Sequence, residues 1–102
     1  MDKNEVIEIV RRYALAVNEK MKPEKIILYG SYARGKGQED SDIDVAVVFN
    51  KIYTDYLESM VLLYKLRRGI DDRIEPVLLE KSNDNSGFLA EIIKYGQIVF
   101  TQ

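Results

Sequence analysis

The chain has 102 residues, of which 46% are hydrophobic and 31% are charged, and its formal net charge is -2. This balance is typical of one soluble globular domain, and the weak net charge argues against a long nucleic acid as substrate. The sequence contains neither cysteine nor histidine, which excludes disulfides, thiolate catalysis, the Ser-His-Asp triad and the usual zinc ligands. Any catalysis must therefore use carboxylates, hydroxyls, amines and metals that prefer oxygen.

The start of the chain, MDKNEVIEIV, lacks the basic and then apolar pattern of a signal peptide. The apolar runs are far shorter than the roughly 20 residues needed to cross a bilayer. We therefore expect a cytoplasmic protein without membrane association, made of a single domain over residues 1–102.

The first half of the chain predicts one helix and two strands. Apolar residues at helical spacing predict a helix over 3–21 that Pro23 ends. A short apolar run predicts a buried strand over 26–29, and alternation of polar and apolar residues predicts a second strand over 43–49. Between them lies GSYARGKGQEDS, a loop in which SYARG could begin a short helix.

The second half predicts helices over 54–68 and 86–95 and strands over 73–79 and 97–100. Pro76 has no N–H to donate, so the third strand should lie at a sheet edge or be interrupted there. The resulting order, αβαβαβαβ, predicts an α/β (α+β) domain with a small mixed sheet and helices packed on it. In the first of these helices Leu57, Met60, Val61 and Tyr64 are expected on one face, and in the second Leu89, Ile92 and Ile93 are expected to point inward.

The chemically informative residues begin with Asp42 and Asp44 on the second strand. Strand residues two apart point to the same face, so the two carboxylates project side by side with alpha carbons about 7 Å apart. Carboxylates this close repel each other unless a cation neutralises them. Magnesium prefers oxygen ligands, and a carboxylate pair can bridge two metal ions about 3.5–4 Å apart for in-line phosphoryl displacement.

The residues after the first strand form a candidate phosphate-binding site, which we call the phosphate grip. Gly30 lets a phosphate approach the backbone, and Ser31 offers a hydroxyl beside N–H groups that could face an anion. Ser31 could equally cap a short helix. Arg34 could lie near a triphosphate, pair with a local carboxylate or remain a surface charge.

The glycine-serine pair, the following Ala-Arg-Gly and the later Ser-Asp-Ile-Asp-Val resemble the signature of the DNA polymerase beta-like nucleotidyltransferase superfamily. Length and element order are most similar to its smallest branch, the minimal nucleotidyltransferase (MNT) proteins often encoded beside HEPN proteins. The resemblance implies the polymerase beta-like fold and ATP as donor. It also implies that Ser31 binds phosphate and that Asp42 and Asp44 bind metal.

The resemblance further implies a third carboxylate on a later strand, and Glu75 in RIEPV has the matching position. Glu75 would help to hold the metal and would orient or deprotonate the attacking hydroxyl. It could also be an exposed residue of an edge strand, in which case the third ligand would be sought at Asp71 or Asp72.

The expected reaction is magnesium-dependent transfer of AMP from ATP to an acceptor hydroxyl, with pyrophosphate as the leaving group. The resemblance implies a HEPN toxin as partner and acceptor, which would make the chain an antitoxin. Two alternatives stay open. The chain could be a non-catalytic antitoxin that neutralises a HEPN ribonuclease by covering it, or a subunit of a transferase that modifies a small molecule.

Overall fold

The computed structural model describes residues 2–38 and 40–102 of the chain. Four strands form one mixed sheet in the order β3-β2-β1-β4, in which β1 is antiparallel to β2 and β4, and β2 is parallel to β3. The elements in chain order are α1 (Lys3–Met21), β1 (Lys25–Tyr29), β2 (Ile43–Phe49), α2 (Tyr56–Leu66), β3 (Ile74–Glu80), α3 (Phe88–Tyr95) and β4 (Gln97–Thr101), with a single 3-10 turn at Lys81–Asn83.

This confirms the predicted α/β class and the mixed sheet, but the predicted αβαβαβαβ order is wrong by one element. The connection from β1 to β2 forms turns rather than a helix over residues 31–35. Gly35 adopts a positive φ of 72°, which ends any helical continuation after a single turn. The absence of a crossover helix is what lets β1 and β2 run antiparallel.

The first helix forms as the apolar spacing predicts. The Asp2 carboxylate caps it by accepting a hydrogen bond of 2.9 Å from the Glu5 amide. Its buried stripe includes Val6, Val10 and Val17, and the chain leaves the helix through Lys22 in the left-handed region at φ 54°. The α1 helix therefore packs on one face of the sheet, against β1 and β4.

The two faces of the sheet are covered unequally. One face carries Ile26, Leu28, Val45 and Val47 against α1 and α2 and forms the main core. The opposite face carries Ile27, Ala46 and Val48, which pack with Leu89 and Ile92 of the short helix α3. Since α3 has only eight residues, it leaves part of this second face open.

The predicted apolar face of α2 coincides only in part with the side that packs, where Met60 is partly buried against the core. Leu57, Val61 and Tyr64 are 71%, 46% and 36% exposed, whereas Ser59 and Leu63 are the buried positions of the helix. Apolar residues lie on more than one side of this helix, so periodicity alone cannot choose the side that packs. In α3 the buried pair Leu89 and Ile92 agrees with expectation, but Ile93 is 44% exposed.

The proline prediction is confirmed in its edge-strand form. Pro76 pairs with Val45 in β3, which is the outer strand beside β2 and runs without interruption through it. An edge strand tolerates proline because the missing N–H falls on the unpaired side. In the part of the chain that the structure describes, no helix combines the length and apolar character that membrane crossing requires.

Candidate active site

Three neighbouring strands bring together a row of polar side chains on the open face of the sheet. Tyr29 of β1 lies opposite Asp44 of β2, and Asp44 lies opposite Glu75 of β3. Neighbouring strands are about 4.8 Å apart, so these residues are direct neighbours. Asp42 precedes β2 by one residue and is exposed, two positions from Asp44 as the sequence predicts.

The surroundings of Asp44 disfavour the ionised form of its carboxylate. Burial raises its pKa above the ordinary value, and the negative charges of Asp42 and then Glu75 raise it further. The same environment affects Tyr29. Burial, and then the negative charges of Asp44 and Glu75, raise the pKa of Tyr29 to about 12. The charges of all three acids therefore converge on one small region.

Gly30 is held by a contact that the sequence did not reveal. It has φ 76°, and a Cβ at this position would overlap the Asp44 Oδ2 atom and lie 3.1 Å from Asp44 Cγ. A glycine is required both for the left-handed backbone and for the space that the Asp44 carboxylate occupies. The predicted approach of a phosphate to Gly30 remains a separate prediction.

The loop after Gly30 is held by internal hydrogen bonds. The Ser31 carbonyl accepts from the Lys36 amide at 2.8 Å, and the Gln38 amide donates to Ser41 Oγ at 2.9 Å. Tyr32 is 2% exposed, and its hydroxyl donates to the Gln38 carbonyl. A Cβ at Gly37 would overlap the Tyr32 ring, so this tyrosine anchors the loop.

Arg34 lies on the exposed side of the same loop. Its guanidinium carbon is 5.7 Å from the centroid of the Tyr95 ring at the end of α3. Arg34, Tyr29 and Gly30 contribute to one wall of a small cavity of about 110 Å³ beside α3. Arg34 is thus near the phosphate-grip residues, on the side of β1 that faces away from β2 and β3.

Glu75 is drawn toward α2 by two partners that the sequence did not indicate. The Tyr64 hydroxyl donates to Glu75 Oε2 at 3.0 Å, and Arg67 Nη1 is 3.8 Å from Glu75 Oε1. Arg67 also donates to the Ile74 carbonyl at 2.8 Å and lies over the Tyr64 ring, 4.8 Å from its centroid. No motif spacing marks either residue, because Tyr64 lies in α2 and Arg67 at its end, outside the strand that carries Glu75.

The alternative acids before β3 have other contacts. Asp71 accepts hydrogen bonds from Arg73, including one of 2.6 Å from Nη2. Hydrogen bonding to the Arg73 side chain lowers the pKa of Asp71 below its ordinary value. Asp71 therefore forms a local turn with Arg73, while Glu75 is the acid paired directly with Asp44.

The donor set suits a magnesium ion in part. Asp42 and Asp44 are adjacent carboxylates, and the fold disfavours ionisation of Asp44. Such a pair suits magnesium, which takes its other oxygen ligands from phosphate and water. Over residues 2–38 and 40–102, no three acidic side chains converge tightly enough to form a ready cation cage. The hydrogen bond and ion pair that hold Glu75 toward α2 give a physical reason for this.

A second and larger cavity, of about 410 Å³, is remote from the carboxylates. It lies at the other end of β2, between Phe49, Lys51 and Ser59, and shares no residue with the row of acids. The chemistry therefore concentrates at the open sheet face rather than in this cavity.

The contact between Gly30 and Asp44 predicts a selective effect of an added methyl group. Gly30→Ala should lower the free energy of unfolding by more than the ~1–2 kcal/mol of a left-handed alanine, because it also displaces the Asp44 carboxylate. Gly69→Ala is the matched control, since Gly69 has φ 79° with nothing within 4 Å of the added Cβ. Urea unfolding of both variants measures the difference, and equal losses would contradict the contact.

The raised pKa of Asp44 predicts that its charge destabilises the metal-free fold. A native pKa above the unfolded value costs stability at neutral pH, and the cost vanishes below the ordinary aspartate value of about 3.9. Asp44→Asn should therefore melt above wild type at pH 7 in chelator, but together with it near pH 3.

Asp71→Asn is the control, because its melting temperature at pH 7 should change in the opposite direction. Because its pKa is lowered by Arg73, the Asp71 charge stabilises the fold above the ordinary pKa, and this variant should melt below wild type at pH 7. Thermal melts over pH 3–7 give both curves. An Asp44→Asn variant less stable than wild type at pH 7 would contradict this account of the site.

The chain was compared with known families and proteins. Residues 13–102 match the family described as "Polymerase beta, Nucleotidyltransferase". Two relatives from Methanocaldococcus jannaschii, each named "Putative protein adenylyltransferase", are 31% identical over 96 residues (MJ0141) and 38% identical over 95 residues (MJ1217). These alignments cover 90% and 89% of this chain and 96% and 90% of the two relatives.

Solved structures show the same fold. A "putative nucleotidyltransferase" from Sulfolobus solfataricus superposes with a TM-score of 0.73 at 20% identity, covering 98% of this chain and 84% of the other. A structure described as a toxin-antitoxin with AMP-PNP superposes with a TM-score of 0.64 at 23% identity, covering 100% and 75%. With the family match over most of its length, the chain belongs to the polymerase beta nucleotidyltransferase family and is a nucleotidyltransferase enzyme.

Proposed function

We propose that the chain transfers AMP from ATP to a hydroxyl group of a partner protein, using magnesium held by Asp42 and Asp44. The observation that carries this proposal is the order of the three strands β1, β2 and β3. The loop that begins at Gly30 follows β1, and the carboxylates of Asp44 in β2 and Glu75 in β3 are neighbours on the open face.

This order matches what an in-line displacement requires. The attacking oxygen and the leaving oxygen must lie on opposite sides of the phosphorus. Pyrophosphate would leave toward the loop of Gly30, Ser31 and Arg34, the α-phosphorus would lie over Asp44, and the acceptor would approach from Glu75. Strands about 4.8 Å apart place β1 and β3 about 10 Å apart, with Asp44 of β2 between them.

Asp42 and Asp44 would hold magnesium, with two ions fitting the shared carboxylates. Magnesium would neutralise the triphosphate and the charge that develops on the leaving group. The raised pKa of Asp44 supports this role, because a cation would relieve the repulsion among the acids. Ser31 and Arg34 would contact the phosphates beside the Gly30 backbone.

Glu75 would be the third acid and would orient or deprotonate the acceptor. Its side chain accepts a hydrogen bond from a phenolic hydroxyl, that of Tyr64, at 3.0 Å. This contact supports the assignment, since a tyrosine hydroxyl from another protein is the same chemical group. For Glu75 to act on an external hydroxyl, its bond to Tyr64 would have to open.

A toxin protein is the proposed acceptor. Relatives that align with most of the chain are named as protein adenylyltransferases, and one structure of the same fold is described as a toxin-antitoxin with AMP-PNP. The sequence resemblance points to a helical HEPN protein, and the expected location of the pair is the cytoplasm. The uncovered part of the sheet beside Glu75 would receive the acceptor.

A binding-only antitoxin is the second candidate, and one observation favours it. Tyr64 and Arg67 already engage Glu75, and an acid that stays engaged could not serve an external acceptor. The chain would then neutralise a toxin by covering it.

The test is ATP binding and transfer in the co-expressed pair of this chain and the protein encoded beside it. Calorimetry should detect ATP only with magnesium or manganese, and intact-mass spectrometry should find one or more AMP units on the partner. Asp42→Asn with Asp44→Asn should reduce transfer by ~10³-fold or more, because a metal site supplies several kcal/mol. Glu75→Gln should reduce it by ~10²-fold or more.

Asp40→Asn is the matched control, because Asp40 is an exposed acid two residues before Asp42. It should leave binding and transfer near wild type. Equal ATP affinity with and without chelator would refute the metal site. An unmodified partner, despite metal-dependent ATP binding, would favour the binding-only antitoxin.

A further inference from the structure

The hydroxyl group of Tyr64 lies beside Glu75, on the side of the site from which the acceptor hydroxyl would approach; we call this side the acceptor end. It is 3.0 Å from Glu75 Oε2, and β3 is the outer strand beside β2. Its ring is positioned by the Arg67 guanidinium, 4.8 Å from the ring centroid. The phenol is therefore oriented toward Glu75.

The position of Tyr64 is the one that a nucleophile needs. Going across the sheet, the Gly30 loop follows β1, Asp44 is in β2 and Glu75 is in β3, and the Tyr64 hydroxyl is hydrogen-bonded to Glu75. An in-line attack on a phosphorus above Asp44 comes from the side opposite the Gly30 loop. Tyr64 is also 36% exposed, so the core does not lock its side chain.

We propose that Tyr64 is a self-modification site, and that the chain adenylylates this tyrosine when ATP and a divalent cation are bound. This inference rests on the proposed function. The Tyr64 oxygen forms a bond to the α-phosphorus of ATP, and the bond from that phosphorus to the β-phosphate oxygen breaks. The electron pair leaves with pyrophosphate, and the phenolic proton passes to the Glu75 carboxylate.

The geometry makes this an intramolecular reaction. Tyr64 and Glu75 belong to the same chain and are already in hydrogen-bond contact, so no second copy is needed to present the hydroxyl. An AMP group on Tyr64 would fill the space beside Glu75. The modified chain would therefore have its acceptor end blocked.

The first measurement is intact-mass spectrometry and peptide mapping of the purified chain after incubation with ATP and magnesium. We expect a gain of one AMP unit, mapped to Tyr64, that is absent from Tyr64→Phe. That variant keeps the ring that Arg67 packs against, and a melting curve checks its fold. Tyr56→Phe is the control, since Tyr56 is exposed on the same helix but ~12 Å away along its axis.

Dilution tests whether the reaction is intramolecular. The fraction of chain labelled per unit time should stay constant over a hundredfold dilution. A labelling rate that falls with protein concentration would overturn the geometry, because it would require one chain to modify another.

A binding measurement that needs no turnover completes the test. Tyrosine-ring NMR signals are followed while α,β-methylene-ATP and magnesium are added to the chain, with the Tyr64 signal assigned by Tyr64→Phe. The Tyr64 signal should shift on binding and the Tyr56 signal should not. An unmoved Tyr64 signal in a chain saturated with the analogue would contradict the placement of its hydroxyl at the acceptor end.

The outcomes separate this inference from the function on which it rests. A chain that binds ATP with magnesium but gains no AMP, or gains it elsewhere than Tyr64, overturns the self-modification and leaves the proposed function standing. A chain that does not bind ATP with magnesium overturns both.

Discussion

Mutual repulsion among Asp42, Asp44 and Glu75 is the interaction on which the rest of the site depends. The fold brings Asp44 next to Glu75 by strand pairing and within reach of Asp42 by spacing along β2. Burial is the largest cause that raises the pKa of Asp44, and the repulsion by Asp42 and then Glu75 raises it further, so the ionised form of Asp44 is unfavourable in the metal-free protein. The ionised acids destabilise the fold when no cation is bound. A cation that binds together with a polyanionic substrate can remove this destabilisation.

Several structural features follow from that arrangement. Gly30 must lack a side chain because the Asp44 carboxylate occupies the space where a Cβ would lie. Tyr32 fastens the loop that begins there through its hydrogen bond to the Gln38 carbonyl. On the far side, Tyr64 and Arg67 hold Glu75 with a donor and a positive charge. Each neighbour of the acids therefore makes room for a carboxylate or partly compensates its charge.

The sequence predicted much of this because local signals and packing agreed in most elements. The stripe of Val6, Val10 and Val17 fixes one face of α1, and the alternation after Asp42 fixes β2. The side of α2 that packs was not predictable, because the exposed Leu57 and Val61 are as apolar as the buried Leu63. There the packing of the whole helix against the sheet overrides the local pattern.

The candidate site likewise combines residues that the sequence identifies with contacts that it does not. Asp42 and Asp44 are recognisable because their spacing lies within one strand, and Gly30 because a motif accompanies it. The pairing of Asp44 with Glu75 and the contact of Tyr64 with Glu75 join residues about 10 to 30 positions apart in the chain. Such contacts depend on sheet order and helix orientation, which no spacing in the sequence encodes.

The most direct test of the account is where a divalent cation binds. Crystals of the chain grown with manganese and a non-hydrolysable ATP analogue allow the metal to be located by its anomalous scattering. The account predicts a peak coordinated by carboxylate oxygens of both Asp42 and Asp44 and by a phosphate oxygen of the analogue. A bound nucleotide with manganese coordinated elsewhere, or with no metal at these two aspartates, would contradict it.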